Sequence, residues 1–260
     1  MSLKLAIGGK GGVGKTTFTS LLARCLAADS KNKVIAIDAD PVANLAAGLG
    51  IPEGEPITPI SELTQLIEER TGAKAGTMGG FFTLNPKVDD IPDRFSITKD
   101  GVKLLVMGTV QSGGSGCICP ESTVLKALMN HLVLVRDEIV VMDMEAGVEH
   151  LGRATSASVD ALLIVVNPGA RSRAAANKIR QLGQDIGIKK IFVVGNRVRN
   201  EDDEKLIREA LADFEILGFV PEVDEIVAAD RDGRRPFDNI NMAPREIYEI
   251  IDKIIALKNN

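Results

Sequence analysis

The chain has 260 residues, 45% of them hydrophobic and 26% charged, with 31 basic against 36 acidic side chains. That composition belongs to ordinary globular chains and excludes a disordered, collagen-like or disulfide-scaffold protein. A net charge of −5 without long blocks of either sign, no Trp and a single Tyr argue against nucleic acid as a partner.

No apolar run approaches the ~18 residues of a spanning helix, and Met1 to Lys4 lead straight into a short apolar stretch, so the expectation is a cytoplasmic protein without a membrane partner. At about 150 residues per domain the length allows one large domain or two small ones. With no internal repeat and no low-complexity linker, 1–260 is expected to be a single domain.

In chain order, short β-branched runs predict strands at Leu3–Ile7, Val34–Ile37, Val102–Met107, Glu138–Met142, Ala161–Val166, Ile191–Val194 and Ile216–Val220. They are nearly continuous rather than alternating, as strands covered on both faces must be. Helical spacing falls between most of them, at Lys15–Ala28, Glu121–Val135, Arg171–Ile186, Glu201–Phe214 and finally Pro244–Leu257. Repeated strand, helix, strand predicts an α/β fold: a mostly parallel central sheet of about seven or eight strands with helices on both sides. An irregular insertion around 50–101, with Pro52, Pro56, Pro59, Pro86 and Pro92, breaks the rhythm. It is expected to carry one short helix, Ile60–Arg70, and then loop that either binds something or is disordered.

After the first strand comes Gly8-Gly9-Lys10-Gly11-Gly12-Val13-Gly14-Lys15-Thr16-Thr17, and then the first helix. Residues Gly9 to Thr16 fit the phosphate-loop pattern GxxxxGK[ST] in the strand-then-helix setting it requires. Glycines let the backbone curl its N–H groups inward onto phosphate oxygens, and the helix N-terminus adds partial positive charge. Lys15 would neutralise the β and γ phosphates, and the Thr16 hydroxyl is a hard oxygen ligand for Mg2+. Lys10 is a second lysine in the loop whose plain reading is a solvated charge.

Carboxylates end two strands: Asp38-Ala39-Asp40-Pro41 follows the second, and Asp143-Met144-Glu145-Ala146-Gly147 the one near 140. In open parallel sheets ligands bind beyond the C-terminal strand ends, so both groups should face the phosphate loop. Near the base, Asn196-Arg197-Val198-Arg199 puts an arginine where a guanine-specific NKxD would have its aspartate, which favours ATP.

Cys117-Ile118-Cys119 follows a glycine-rich run and precedes Pro120, a favoured first helical residue. Two sulfurs two residues apart can converge on one soft ion next to a helix N-terminus, although two thiolates do not complete a tetrahedral shell. A pair without a metal role stays open. Cys25, in line with Leu21, Leu22 and Leu26, is expected in the core, as are His131 and the isoleucines of the last helix; His150 is an auxiliary ligand or relay candidate.

The full string GGKGGVGKTT resembles the deviant Walker A motif of the MinD/ParA/nitrogenase-iron-protein class of NTPases. The resemblance implies a Mg2+-dependent ATPase that turns ATP into ADP and phosphate, and a homodimer in which Lys10 reaches the partner's phosphates. It further implies Asp38 and Asp143 as direct or water-mediated magnesium ligands, Asp40 as the group orienting the attacking water, and Gly147 as a switch glycine. Asn196, Arg197 and the segment Pro221-Glu222-Val223 lie where the ATPases that this chain resembles surround adenine, and that resemblance implies them as the candidate base site. Together with DADP, the glycine-flanked CxC and the stretch Asp143 to Gly152, the chain is similar to the CooC type of nickel-insertion accessory ATPase. That similarity implies Ni2+ or Zn2+ held by Cys117 and Cys119 of two subunits, and apo carbon monoxide dehydrogenase as client. The alternatives are a MinD/ParA-like positioning or partitioning ATPase, or an iron–sulfur carrier ATPase.

Overall fold

The computed structural model describes residues 2–40, 43–76, 81–108, 119–144 and 158–259. Eight strands form one sheet: β1 (Leu3–Gly8), β2 (Val34–Asp38), β3 (Ile97–Lys99), β4 (Val102–Val106), β5 (Ile139–Asp143), β6 (Ala161–Val166), β7 (Ile191–Val198) and β8 (Glu215–Pro221). Their order is β3-β4-β2-β5-β1-β6-β7-β8, and every pairing is parallel except β3 with β4. The expected α/β sheet is therefore present.

Alternate residues of each central strand go to opposite faces, and both faces are buried. On one side Leu5, Ile7, Ala36, Val141 and Leu163 meet Phe18, Leu21 and Leu22 of α1 (Lys15–Ala28) and Ile247, Ile250 and Ile254 of the last helix (Arg245–Asn259). On the other, Ala6, Ile37, Val140, Met142 and Ile164 meet Val124, Leu128 and Leu132 of the helix Pro120–Leu134 and Ala176 and Ile179 of the helix Ala170–Asp185. Burying a side chain of this size stabilises by roughly 1.5–3 kcal/mol, which explains why such strands carry no polar alternation. Cys25 is buried among these residues, and burial pushes its thiol up to about 11, as suits a small core hydrophobe. The last helix lies in the core as expected. No described helix is long and apolar enough to cross a membrane.

The region after Gly50 is more regular than its prolines suggest. Instead of one helix over Ile60–Arg70, a 3-10 turn at Ile60–Glu62 gives way to α3 (Thr64–Thr71), preceded by α2 (Leu45–Leu49) and followed by α4 (Ile91–Phe95). Strand β3 was not expected at all. Asp100 and Gly101 take φ of 46° and 81° between β3 and β4, where Lys99 pairs with Val102. Asp-Gly in such a two-residue turn is a strong hairpin signal, and it explains the antiparallel edge. The remaining α-helices among the described residues are α5 (Pro120–Leu134), α6 (Ala170–Asp185), α7 (Glu201–Ala210), α8 (Asp224–Asp232) and α9 (Arg245–Asn259). Helix α7 ends four residues before the expected Phe214, because Leu211, 2% exposed, turns into the core. Helix α8 was not anticipated; Gly233 stops it at φ 63° in a left-handed cap.

Candidate functional site

The loop between β1 and α1 is shaped by positions that admit no side chain. A Cβ on Gly9 would lie 2.5 Å from the Val165 carbonyl oxygen, and one on Gly14, whose φ is 89°, would lie 2.5 Å from Asn196 Nδ2. The loop therefore passes so close to β6 and β7 that only glycine fits. Asn196 is buried and donates from Nδ2 to the Val13 carbonyl at 2.8 Å, bracing the loop from β7. Lys15 is 8% exposed beneath the loop, whereas Lys10, Gly11 and Gly12 are exposed at its rim. Thr16 and Thr17 are half-buried in the first turn of α1.

Strand register brings the two expected carboxylates together, since Asp38 and Asp143 are direct neighbours across the parallel pair β2–β5. Both are almost fully buried. Asp38 accepts the Asp40 amide on Oδ1 at 3.2 Å and the Leu45 amide on Oδ2 at 2.9 Å, so it holds the N-terminus of α2. Burial raises its pKa to about 7 against these two hydrogen bonds, and the Asp143 charge adds to the rise. Asp143 is raised to about 6, again by burial, while Thr16, Lys15 and Thr19 pull it down. Thr19 Oγ1 lies 3.4 Å from Asp143 Oδ1, and the buried Asp143 Oδ2 has no hydrogen-bond partner among the described residues. A buried carboxylate oxygen facing a threonine hydroxyl and a lysine suits a divalent cation held with retained waters. Among the described residues, no group of three or more His, Cys, Asp or Glu side chains is placed to hold a metal without such help.

A cleft of about 350 Å³ opens above the loop. Its floor is Gly12, Gly14, Lys15, Thr16 and Thr17; one wall is Asn44, Ala47 and Gly48 of the α2 region; the other is Arg197, Ala229, Asp230, Gly233, Arg234 and Pro236. Arg197, at φ 55° on β7, pairs with Asp230 at 3.3 Å. Lys15, Thr16, Thr17, Gly12, Gly14 and Arg197 thus converge, whereas Gly9, Lys10, Gly11 and Val13 are not among the lining residues. Pro221, Glu222 and Val223 are not among the lining residues: they end β8 and lead into α8, with the Glu222 amide bound to the Val198 carbonyl at 2.9 Å. The far end of α8 and the loop after it form this wall of the cleft. Two glycines, Gly48 inside the short helix α2 and Gly233 capping α8, were the available signals for these walls.

The cysteine pair is only half described. Cys117 lies outside the described residues, as do Gly147 and His150. Cys119 is the N-cap of α5, 4% exposed, and its sulfur accepts the Ser122 amide while Ser122 Oγ accepts the Cys119 amide at 3.3 Å. His131, on the same helix, is half-buried; burial lowers its pKa, with Arg136 adding to the effect.

Residues 4–237 match the CobQ/CobB/MinD/ParA nucleotide binding domain. The chain belongs to this family. As a CobQ/CobB/MinD/ParA-family member it is an ATPase built on the phosphate loop described above. It is 47% identical over 262 residues to an uncharacterized ATP-binding protein of Methanocaldococcus jannaschii, covering 99% of each chain. It is 46% identical over 238 residues to the carbon monoxide dehydrogenase accessory protein CooC of Rhodospirillum rubrum, covering 91% of this chain and 90% of that one. Its fold is shared with MinD in the Aquifex aeolicus MinC:MinD cell division protein complex, at 22% identity and a TM-score of 0.67 over 98% of this chain and 95% of the other.

Proposed function

We propose that these 260 residues form one domain of an ATP-hydrolysing metallochaperone for carbon monoxide dehydrogenase. ATP and magnesium bring two copies together, the paired cysteines of both copies hold one nickel or zinc ion, and hydrolysis to ADP and phosphate releases the ion to the apo-enzyme. The observation that carries this reading is the 46% identity to CooC across nine-tenths of the chain. Cys119 supports it by lying at the N-terminus of α5, where an anionic ligand set is favoured by the helix dipole. One chain's CxC supplies two sulfurs, and a two-fold axis doubles them to the closed four-sulfur shell that zinc accepts.

Each residue then has a role. Lys15 and the loop amides hold the phosphates, and Lys10, exposed at the rim, reaches the partner copy's phosphates. Thr16, Asp38 and Asp143 would hold, directly or through water, the magnesium that neutralises charge on the β and γ phosphates; Asp38 also accepts two backbone amides that hold the start of α2. That leaves Asp40, half-buried beyond β2, to orient the attacking water. Arg197 and Asn196 serve the adenine end, one from the cleft wall and one by bracing the loop. The protein works in the cytoplasm, where thiols stay reduced.

The test is a nickel and zinc titration without nucleotide, with ADP and with ATP, read alongside molar mass by light scattering. The parent is expected to bind one ion per two chains and to dimerise, and Cys117→Ser/Cys119→Ser to lose the ion. A double-serine variant that binds metal as tightly as the parent would overturn the proposal.

A further inference from the structure

The walls of the cleft are not continuous in sequence, and something must hold them at a fixed separation. The segment after α8 is fastened from below by α1: Arg24, 3% exposed, donates from Nη1 to the Pro236 carbonyl and from Nη2 to the Phe237 carbonyl. It is fastened from the side by α8, since Glu225 takes Arg234 Nη1 at 2.6 Å and the Phe237 amide at 3.4 Å. Phe237 sits at φ 54°, a left-handed conformation that a bulky residue keeps only when its surroundings hold it there.

Arg235 leaves this segment in the opposite direction, toward the other wall. Its stem lies across Gly50, where a Cβ would come within 2.3 Å of Arg235 Cδ. Gly50 is the left-handed C-cap of α2, the helix that contributes Ala47 and Gly48 to the cleft. The Arg235 guanidinium then pairs with Asp100 in the β3–β4 turn, and at 3.2 Å with Asp238. With its side chain 21% exposed, Arg235 is the better-buried member of both pairs.

We propose that Arg235 is a positioning residue for the nucleotide: it ties the α2 wall, the wall after α8 and the β3–β4 turn into one frame. Through Gly50 and Asp100 it touches both ends of the 50–101 segment, so that whatever displaces that segment changes the width of the cleft and with it nucleotide affinity. The inference rests on the nucleotide occupying this cleft, and a parent whose ATP binding disappears in Lys15→Ala keeps that placement whatever Arg235 does.

The experiment measures ADP affinity by calorimetry and steady-state ATP hydrolysis for Arg235→Ala, Arg235→Lys, Asp100→Asn and Arg235→Ala/Asp100→Asn. Arg235→Ala should raise the ADP Kd and the ATP KM about fivefold, the upper range for a partly exposed ion pair, and leave kcat at saturation within about twofold. Arg235→Lys should recover part of the affinity, because its stem still covers Gly50. Asp100→Asn should give a smaller rise, and the double variant should bind no worse than Arg235→Ala, as for two residues of one interaction. An ADP Kd for Arg235→Ala indistinguishable from the parent, a loss in kcat with KM unchanged, or additive effects in the double variant would each overturn the proposal.

Discussion

Asp143→Asn isolates what the buried carboxylate costs before any ligand arrives. Asp143 is 1% exposed and its Oδ2 has no hydrogen-bond partner among the described residues, so ionisation is harder in the native protein than in the unfolded chain. Burial is the main cause of the raised pKa, and the Asp40 charge adds to it. For a carboxyl raised in this way the contribution to stability is most favourable below the unfolded value, declines as pH climbs through the interval, and settles at a constant deficit above the folded value. The interval runs from 3.8 to about 6, and at about 1.4 kcal/mol per pH unit it amounts to about 3 kcal/mol. The neutral isostere should therefore stabilise the nucleotide-free protein at pH 8 by up to about 3 kcal/mol, or roughly 6 °C in Tm for a chain of this size. Near pH 4 the two proteins should unfold together. Asp38 remains in the variant, and removing the Asp143 charge beside it also eases its ionisation, which adds to the gain. Scanning fluorimetry at pH 4.5, 6 and 8, with and without Mg-ATP, measures all of this. The variant should also gain less from Mg-ATP than the parent, because the carboxylate that would face magnesium is gone. A variant less stable than the parent at pH 8 without nucleotide would refute the reasoning.

Two further substitutions separate the roles of the loop lysines. Lys15→Ala should abolish both ATP binding and turnover, checked by calorimetry and phosphate release, and retained hydrolysis would remove the phosphate-loop assignment. Lys10→Ala should still bind ATP yet stay monomeric in gel filtration with ATP and magnesium, whereas normal ATP-dependent dimerisation would count against a role across the interface.

The central sheet was legible because each of its strands buries both faces, and a run such as Leu162 to Val166 has no other stable place to go. What lay outside that rule was harder to see. Strand β3 has only three residues and one buried neighbour, so hydrophobic patterning is silent about it; the signal was in the turn, Asp100-Gly101, and not in the strand. Helix α8 buries little more than Ala229, and a helix without an apolar stripe is recognised only by its ends, here Asp224 and Glu225 in the first turn and Gly233 after the last.

The same distinction divides the site. Lys15, Thr16, Asp38 and Asp143 follow from chemistry and strand position alone: phosphates need amides and a lysine, and parallel register sets the two aspartates side by side. The wall formed after α8 has no such rule, because nothing in Pro221-Glu222-Val223 tells how far the chain travels before it lines the cleft. It returns through Asp230, Gly233, Arg234 and Pro236, after one helix that packs mainly by ion pairs. A wall held by charges such as Glu225 with Arg234, and by Arg24 reaching two carbonyls 212 and 213 residues away, is specified by long-range pairing. Such pairing leaves no periodicity in the chain. It also makes that wall easier to displace than the apolar sheet beneath it, since exposed ion pairs each contribute about 1 kcal/mol or less. A phosphate loop braced by Asn196 and facing a wall held by ion pairs is an arrangement in which nucleotide affinity can be adjusted without disturbing the buried carboxylates.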